Sequence, residues 1–146
     1  MRILLLLLLC NIAHSATEAQ AIQVFKEMSR GGVKIVISNS SAINASCGFN
    51  ILTLNKGIIR AAQNNDELSI VIGHELTHCR HYDMGSSIAK ELRADAEGLL
   101  DAKAHGYNVC NGVNIMRRMN RKQTATHPAS GERYERLRRL GGCIKR

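Results

Sequence analysis

The sequence predicts a small α+β domain, with a short sheet, one helix beneath it and a second helix packed behind. Three observations carry that expectation. The chain has 146 residues, which suits one domain with a modest core. Two early stretches, Val33 to Ser38 and Phe49 to Asn55, have the β-branched content and alternation of strands. Most of the rest places apolar residues at helical spacing, punctuated by Gly, Asn and Ser. With no Trp, two Phe and three Tyr, the core must rest on Leu, Ile, Val and Ala.

Residues 1–15 are expected to be a signal peptide, and residues 16–146 the single folded domain. Met1-Arg2 is a short positive start, Ile3 to Leu9 is an unbroken apolar run, and Ala13-His14-Ser15 supplies small residues at the two positions a signal peptidase reads. The run is well short of the ~20 residues a spanning helix needs. Thr17 can cap a helix that Gly31-Gly32 ends. Strands follow at Val33 to Ser38 and Phe49 to Asn55, with the turn-rich stretch Asn39 to Ser46 between them. Gly57 to Gln63 reads as a short helix. Asn64-Asn65-Asp66 caps a longer one that runs to about Tyr82. Asp83 to Gly85 breaks it, Ser86 or Ser87 opens the next, and Gly106 stops that one near His105. Gly112 to Lys122 is a further helical pattern. His127-Pro128 opens the last, because Pro suits a first turn.

Cysteine usage agrees with export. Cys47, Cys79, Cys110 and Cys143 follow the leader, and in an oxidising compartment they allow two disulfides in any of three pairings. The predicted location is secreted or periplasmic. Charge is lopsided: residues 117–146 hold ten Lys and Arg against two Glu, and the rest of the chain balances to zero. Such a segment can contact an anionic surface or acidic partner. Tyr134 is the one aromatic residue among those arginines, so base stacking is poorly supplied and nucleic acid is not expected as a partner.

The chemistry concentrates in Ile70 to Cys79, "IVIGHELTHC". Ionisable groups in so apolar a segment are costly unless paired or bound to a metal. On a helix, His74 and His78 are one turn apart on the same face. Two imidazoles at that spacing can bind one Zn²⁺, and Glu75 can reach the water bound to it as general base. A third protein ligand is needed, and His81, Glu91, Asp95, His105 and His127 are candidates. Three ligands along one straight helix converge poorly, so His81 reads as a surface residue. Glu91 lies on the next helix, past a break that lets it fold back. Asp95 is one turn further and could accept a hydrogen bond from Nδ1 of a zinc-bound histidine. Glu91 and Asp95 also fit a solvated acidic face with Lys90, Arg93 and Lys103. Gly98 removes bulk where two helices could approach closely.

"HELTH" followed by Glu91-Leu92-Arg93-Ala94-Asp95-Ala96-Glu97-Gly98 resembles the HtpX-like zinc metallopeptidases, which include the CAAX prenyl endopeptidases. The family pattern is His-Glu-x-x-His, then Glu-x-x-Ala-Asp-x-x-Gly on a following helix, and both halves are complete here. "INASCGFNILTLNKGIIRAAQNNDELSIVIGHELTH", "AHGY" and "THPASGERYERL" extend the resemblance over roughly residues 33–140. It implies a minimal zincin-like, gluzincin domain. It also implies that His74, His78 and Glu91 bind one zinc ion, that Glu75 is the general base, and that Asp95 supports a ligand. Asn44 and Ala45 would lie on an edge strand that pairs with extended polypeptide substrate. His127 would donate to the developing oxyanion. Members such as HtpX carry transmembrane helices, which the expected mature chain lacks. The link from His78 to Glu91 is short, so membrane and prenylated substrates are not expected. The resulting expectation is an exported zinc endopeptidase. The alternative is a non-catalytic or latent zinc-binding module that meets a protein, cell-wall or anionic partner through residues 117–146.

Overall fold

The computed structural model describes residues 14–119 and 121–144. The expected signal peptide lies almost wholly outside the described residues. The architecture is α+β. In chain order the elements are α1 (Glu18–Met28), β1 (Lys34–Ser38), β2 (Ala45–Gly48), β3 (Ile51–Asn55), α2 (Lys56–Ala61), α3 (Asn65–Arg80), α4 (Ile88–Ala104), α5 (Val109–Gly112), α6 (Ile115–Met119) and α7 (Ser130–Gly141). No helix among the described residues is long and apolar enough to cross a membrane.

The sheet has the order β1-β3-β2, with β1 parallel and β2 antiparallel to β3. Leu52 and Leu54 of β3 face the core and are fully buried, while Ile51 faces out. This alternation fits the period of two read from the sequence. The strand starts later than expected. Phe49 and Asn50 form the hairpin turn, with φ of 50° and 59°, and a two-residue turn of this hand needs positive φ at both positions. The residues before them, Ala45 to Gly48, pair with β3, so the stretch expected to be turn runs into a strand.

The sheet leaves β2 as an edge. The carbonyl of Asn44 accepts from the Asn55 N–H at 3.2 Å. Antiparallel pairing alternates, so Ser46 and Gly48 bond to β3. Ala45 and Cys47 then present N–H and C=O on the free side, where no described residue bonds them.

The centre of the domain is α3, whose Asn64 side chain accepts from the Glu67 N–H. Thirteen of its sixteen residues are buried, so it is a core helix that happens to carry ionisable groups. The sheet, α1, α4 and α5 surround it. Its closest neighbour is α4, capped by Ser87. Gly73 and Gly98 meet there. A Cβ on Gly98 would lie 2.5 Å from the His74 backbone nitrogen, and one on Gly73 would lie 2.6 Å from the Gly98 carbonyl oxygen. Backbone packs on backbone at this point.

The C-terminal region differs most from expectation. Of the helix expected over Gly112 to Lys122 only α6, Ile115–Met119, forms, and α5, Val109–Gly112, ends where that helix was expected to begin. His127-Pro128 does not open α7, which begins at Ser130 with Ala129 as its cap. Arg121 and Ser130 close the intervening segment: the Arg121 N–H donates to Ser130 Oγ at 2.8 Å, and the Ser130 N–H donates to the Arg121 carbonyl at 2.9 Å. Pro128 therefore belongs to a closed loop. Several cations of this region are already engaged. Arg118 pairs with buried Glu67, Arg133 with Asp95, and Arg136 donates to the Leu92 carbonyl.

Two disulfides staple the domain, Cys47–Cys79 and Cys110–Cys143. The first ties β2 to the end of α3, and the second ties α5 to the end of α7. Each closes a loop of a length for which chain-entropy arguments give roughly 3–4 kcal/mol.

The α3–α4 contact yields a test. Alanine is a better helix former than glycine by about 1 kcal/mol, yet Gly98→Ala should destabilise the protein by about 1–3 kcal/mol net, because rigid backbone must move to admit the methyl group. Urea unfolding of the two proteins measures this, and equal stability would show that the helices do not meet so closely.

Candidate metal centre

α3 turns His74 and His78 toward α4, and α4 turns Glu91 back toward them. The Nε2 atoms of the two imidazoles are 3.1 Å apart. Glu91 places Oε2 at 3.3 Å from His74 Nε2 and Oε1 at 3.4 Å from His78 Nε2. Zinc bonds to nitrogen and oxygen of about 2.0–2.2 Å in a tetrahedron require ligand atoms roughly 3.3–3.5 Å apart. The three residues form a group whose donor atoms could hold one metal ion.

The protonation pattern also fits a cation. His74 Nδ1 is 2.9 Å from Asp95 Oδ1, and His78 Nδ1 is 2.9 Å from Asp83 Oδ2. An ionised carboxylate only accepts, so each Nδ1 donates, and a neutral ring then turns a bare lone pair at Nε2 into the centre. Two such lone pairs and a carboxylate converge, which is stable only around positive charge. A proton is one way to supply it. Burial pushes His74 down, but the bonds to Asp95 and Glu91 outweigh it and raise the imidazole to about 9. For Glu91, burial pushes upward, and the bonds from His74, His78 and Ser86 hold it well below the usual carboxylate range instead.

Each supporting carboxylate is itself held. Asp95 receives Arg133 in a two-pronged contact, Nε to Oδ2 at 2.9 Å and Nη2 to Oδ1 at 2.6 Å. Burial raises its carboxyl, and the bonds to His74 and Arg133 more than reverse that. Asp83 receives Arg93 at 2.6 Å. Ser86 donates to Glu91 Oε1 at 2.9 Å and fixes the carboxylate on the other side.

Glu75 differs from its neighbours. It is buried, lines the cleft, and no described residue hydrogen-bonds its carboxylate. Burial pushes its carboxyl up, tempered by His74 and His78. An unpartnered carboxylate at a cleft wall can exchange a proton with whatever enters.

The cleft has a volume of about 430 Å³. Ala45 and Cys47 of β2 form one wall, and His127 another. His127 Nε2 lies 3.8 Å from Glu91 Oε1 and 3.4 Å from Ser86 Oγ. Asn44 sits just before β2. Its backbone groups bond to Ala42 and Asn55, and its side-chain oxygen accepts from Arg121 Nη2 at 2.7 Å. His81 lies away from the centre and pairs with Glu97. His105 bonds the Asp101 carbonyl. The structure thus brings together His74, Glu75, His78, Glu91, Asp95 and His127, with Ala45 across the cleft.

Sequence reasoning missed Asp83 and Arg133. Asp83 was visible only as a helix breaker, although a carboxylate five residues past His78 is within reach once the chain turns. Arg133 lay among the surface cations, and only the apolar side of its helix, Tyr134 and Leu137, hinted that α7 docks.

The sequence model of Peptidase family M48 matches residues 12–90. That span exceeds half of the chain, and the chain belongs to this family of zinc metallopeptidases. The match includes His74, Glu75 and His78 and stops one residue before Glu91. No curated protein matches the chain.

The raised imidazoles give a sign that can be checked. Below about pH 9 the metal-free centre holds a proton on His74, and zinc must displace it. Zinc binding at pH 7.5 should therefore release at least about one proton, and affinity should fall as pH falls. Calorimetry in buffers of different ionisation enthalpy counts the protons. Zero release would mean that the metal-free centre does not hold that proton.

Proposed function

We propose that the chain is an exported zinc endopeptidase acting on extended polypeptide, built as a minimal gluzincin-type, zincin-like domain. One observation carries the reading. Two imidazoles and a carboxylate stand at zinc-ligand spacing beside a buried carboxylate that no described residue hydrogen-bonds. Membership of a zinc metallopeptidase family supports it.

His74, His78 and Glu91 would hold the ion. Zinc held there supplies Lewis acidity and lowers the pKa of a water toward neutrality. Glu75 takes the proton of the attacking water and later delivers it to the leaving amine, which suits a carboxyl whose affinity for protons burial has increased. Asp95 and Asp83 fix which imidazole nitrogen faces the centre. His127 Nε2 donates to the oxygen of the substrate carbonyl as charge develops on it. The substrate backbone pairs with the free groups of Ala45 and Cys47, adding a strand to the edge, and Asn44 closes that edge at the end held by Arg121.

Two disulfides and the apolar leader favour a secreted or periplasmic location. The net positive charge of residues 117–146 would suit contact with an anionic surface.

Purified protein loaded with zinc should cleave an unfolded substrate such as casein. Glu75→Gln should lower the rate by about 10²–10⁴-fold and still hold one zinc. Equal rates would remove Glu75 from the mechanism. If both proteins hold zinc and neither cuts casein or unfolded polypeptides of other sequence, the endopeptidase reading fails.

A further inference from the structure

Past Cys47 the cleft continues into a second hollow of about 200 Å³. Cys47, His78 and Asp83 line both cavities. Phe49, Tyr82 and Met84 line the hollow, and they are the most exposed large apolar residues among those described, at 87, 75 and 68%. Exposed apolar surface is common when scattered, and informative when gathered.

Backbone strain gathers at the same place. Among the described residues, the non-glycine positions with positive φ are Phe49, Asn50 and Tyr82, and all three line the hollow. Tyr82 follows the C-cap of α3. Its N–H donates to the Cys79 carbonyl, and the Asp83 N–H donates to the His78 carbonyl. That helix ending usually places glycine where Tyr82 stands. Phe49 is first in a two-residue turn that favours Asn or Gly. Stability alone would select neither ring at these positions, and burial does not explain them. The Cys47–Cys79 disulfide holds the two strained segments side by side.

We infer that this hollow is a subsite for a bulky apolar side chain of the polypeptide substrate, beyond the cleaved bond on the Gly48 side. The inference rests on the peptidase reading. Continuity selects this occupant. A chain paired with Ala45 and Cys47 passes the metal centre, and its path along β2 leads to Gly48 and the hollow. The side chains of a strand alternate, so at most every second residue can enter, and recognition falls on one position.

The test uses extended fluorescent peptides in which Ala, Leu or Phe is moved along an otherwise fixed sequence. Anisotropy with zinc-loaded Glu75→Gln protein reads binding without turnover, and kcat/KM with the wild type reads cleavage. At one position Leu or Phe should improve binding about ten-fold or more over Ala. Phe49→Asn combined with Tyr82→Gly should bring that ratio to about one, while the melting temperature stays level or rises because the turns are relieved. No preference at any position, or a preference that survives the double substitution, overturns the subsite. So does a wild-type dimer in sedimentation that the double substitution dissociates without changing peptide preference, since the face then belongs to a second copy. If the preference is present and depends on both rings but wild type never cuts, the subsite stands and the peptidase reading falls.

Discussion

The site depends on how closely two helices approach. Backbone meets backbone where Gly73 and Gly98 face each other, and no other residue type would permit that separation. The spacing sets the reach of Glu91 and Asp95, both on α4, toward imidazoles on α3. Side chains of this length cannot compensate for a helix displaced by the width of a methyl group and still hold two imidazole nitrogens and the Glu91 carboxylate at 3.1–3.4 Å. A glycine pair in the core thus acts, through rigid elements, on chemistry that begins at the next residue of α3 and lies one to two turns back along α4.

Around that contact the charges are layered. The centre collects two imidazole lone pairs and a carboxylate. Behind it sit two carboxylates, Asp95 and Asp83, each holding one ring. Behind those sit two guanidiniums, Arg133 and Arg93. Each of those two carboxylates thus meets a guanidinium on its outer side. A buried ion pair with a missing partner is strongly destabilising, whereas a complete one is roughly neutral. The network is therefore better understood as fixing orientation than as adding stability. It also makes the core of a small domain dependent on α7, since Arg133 arrives from the far end of the chain.

Much of this was legible beforehand, and the pattern of what was not has a physical reason. Local signals worked. Asn64 and Ser87 cap as such residues do, the break at Asp83 to Gly85 turns α4 back, and Gly98 marks a close approach. His74 and His78 share a face because helical geometry demands it. What failed required knowledge of distant partners. Phe49 has strand propensity, but the hairpin register needed a two-residue turn, and tertiary pairing prevailed over preference. Pro128 can start a helix, but the Arg121–Ser130 contacts close the segment first. Arg133 is a surface residue by composition, and only docking of α7 makes it a core cation. Residues 12–90 carry the family match, whereas Glu91, Asp95, His127 and Arg133, which complete the site, all follow it.

The two disulfides explain how so little chain supports such a site. A domain of this size buries a limited apolar area, and here part of the core is given over to ionisable groups. Without further constraint, the pieces most prone to loosen would be a four-residue edge strand and a C-terminal helix docked through Arg133, Arg136, Tyr134 and Leu137. Those are the pieces the disulfides hold. Cys47–Cys79 joins the edge strand to α3 one residue after His78, and Cys110–Cys143 anchors the end of the helix that carries Arg133. The staples fall on the edge strand and on the end of α7. They constrain the cleft-facing edge and the buried cation more directly than they constrain the centre of α3, which its own apolar burial already secures.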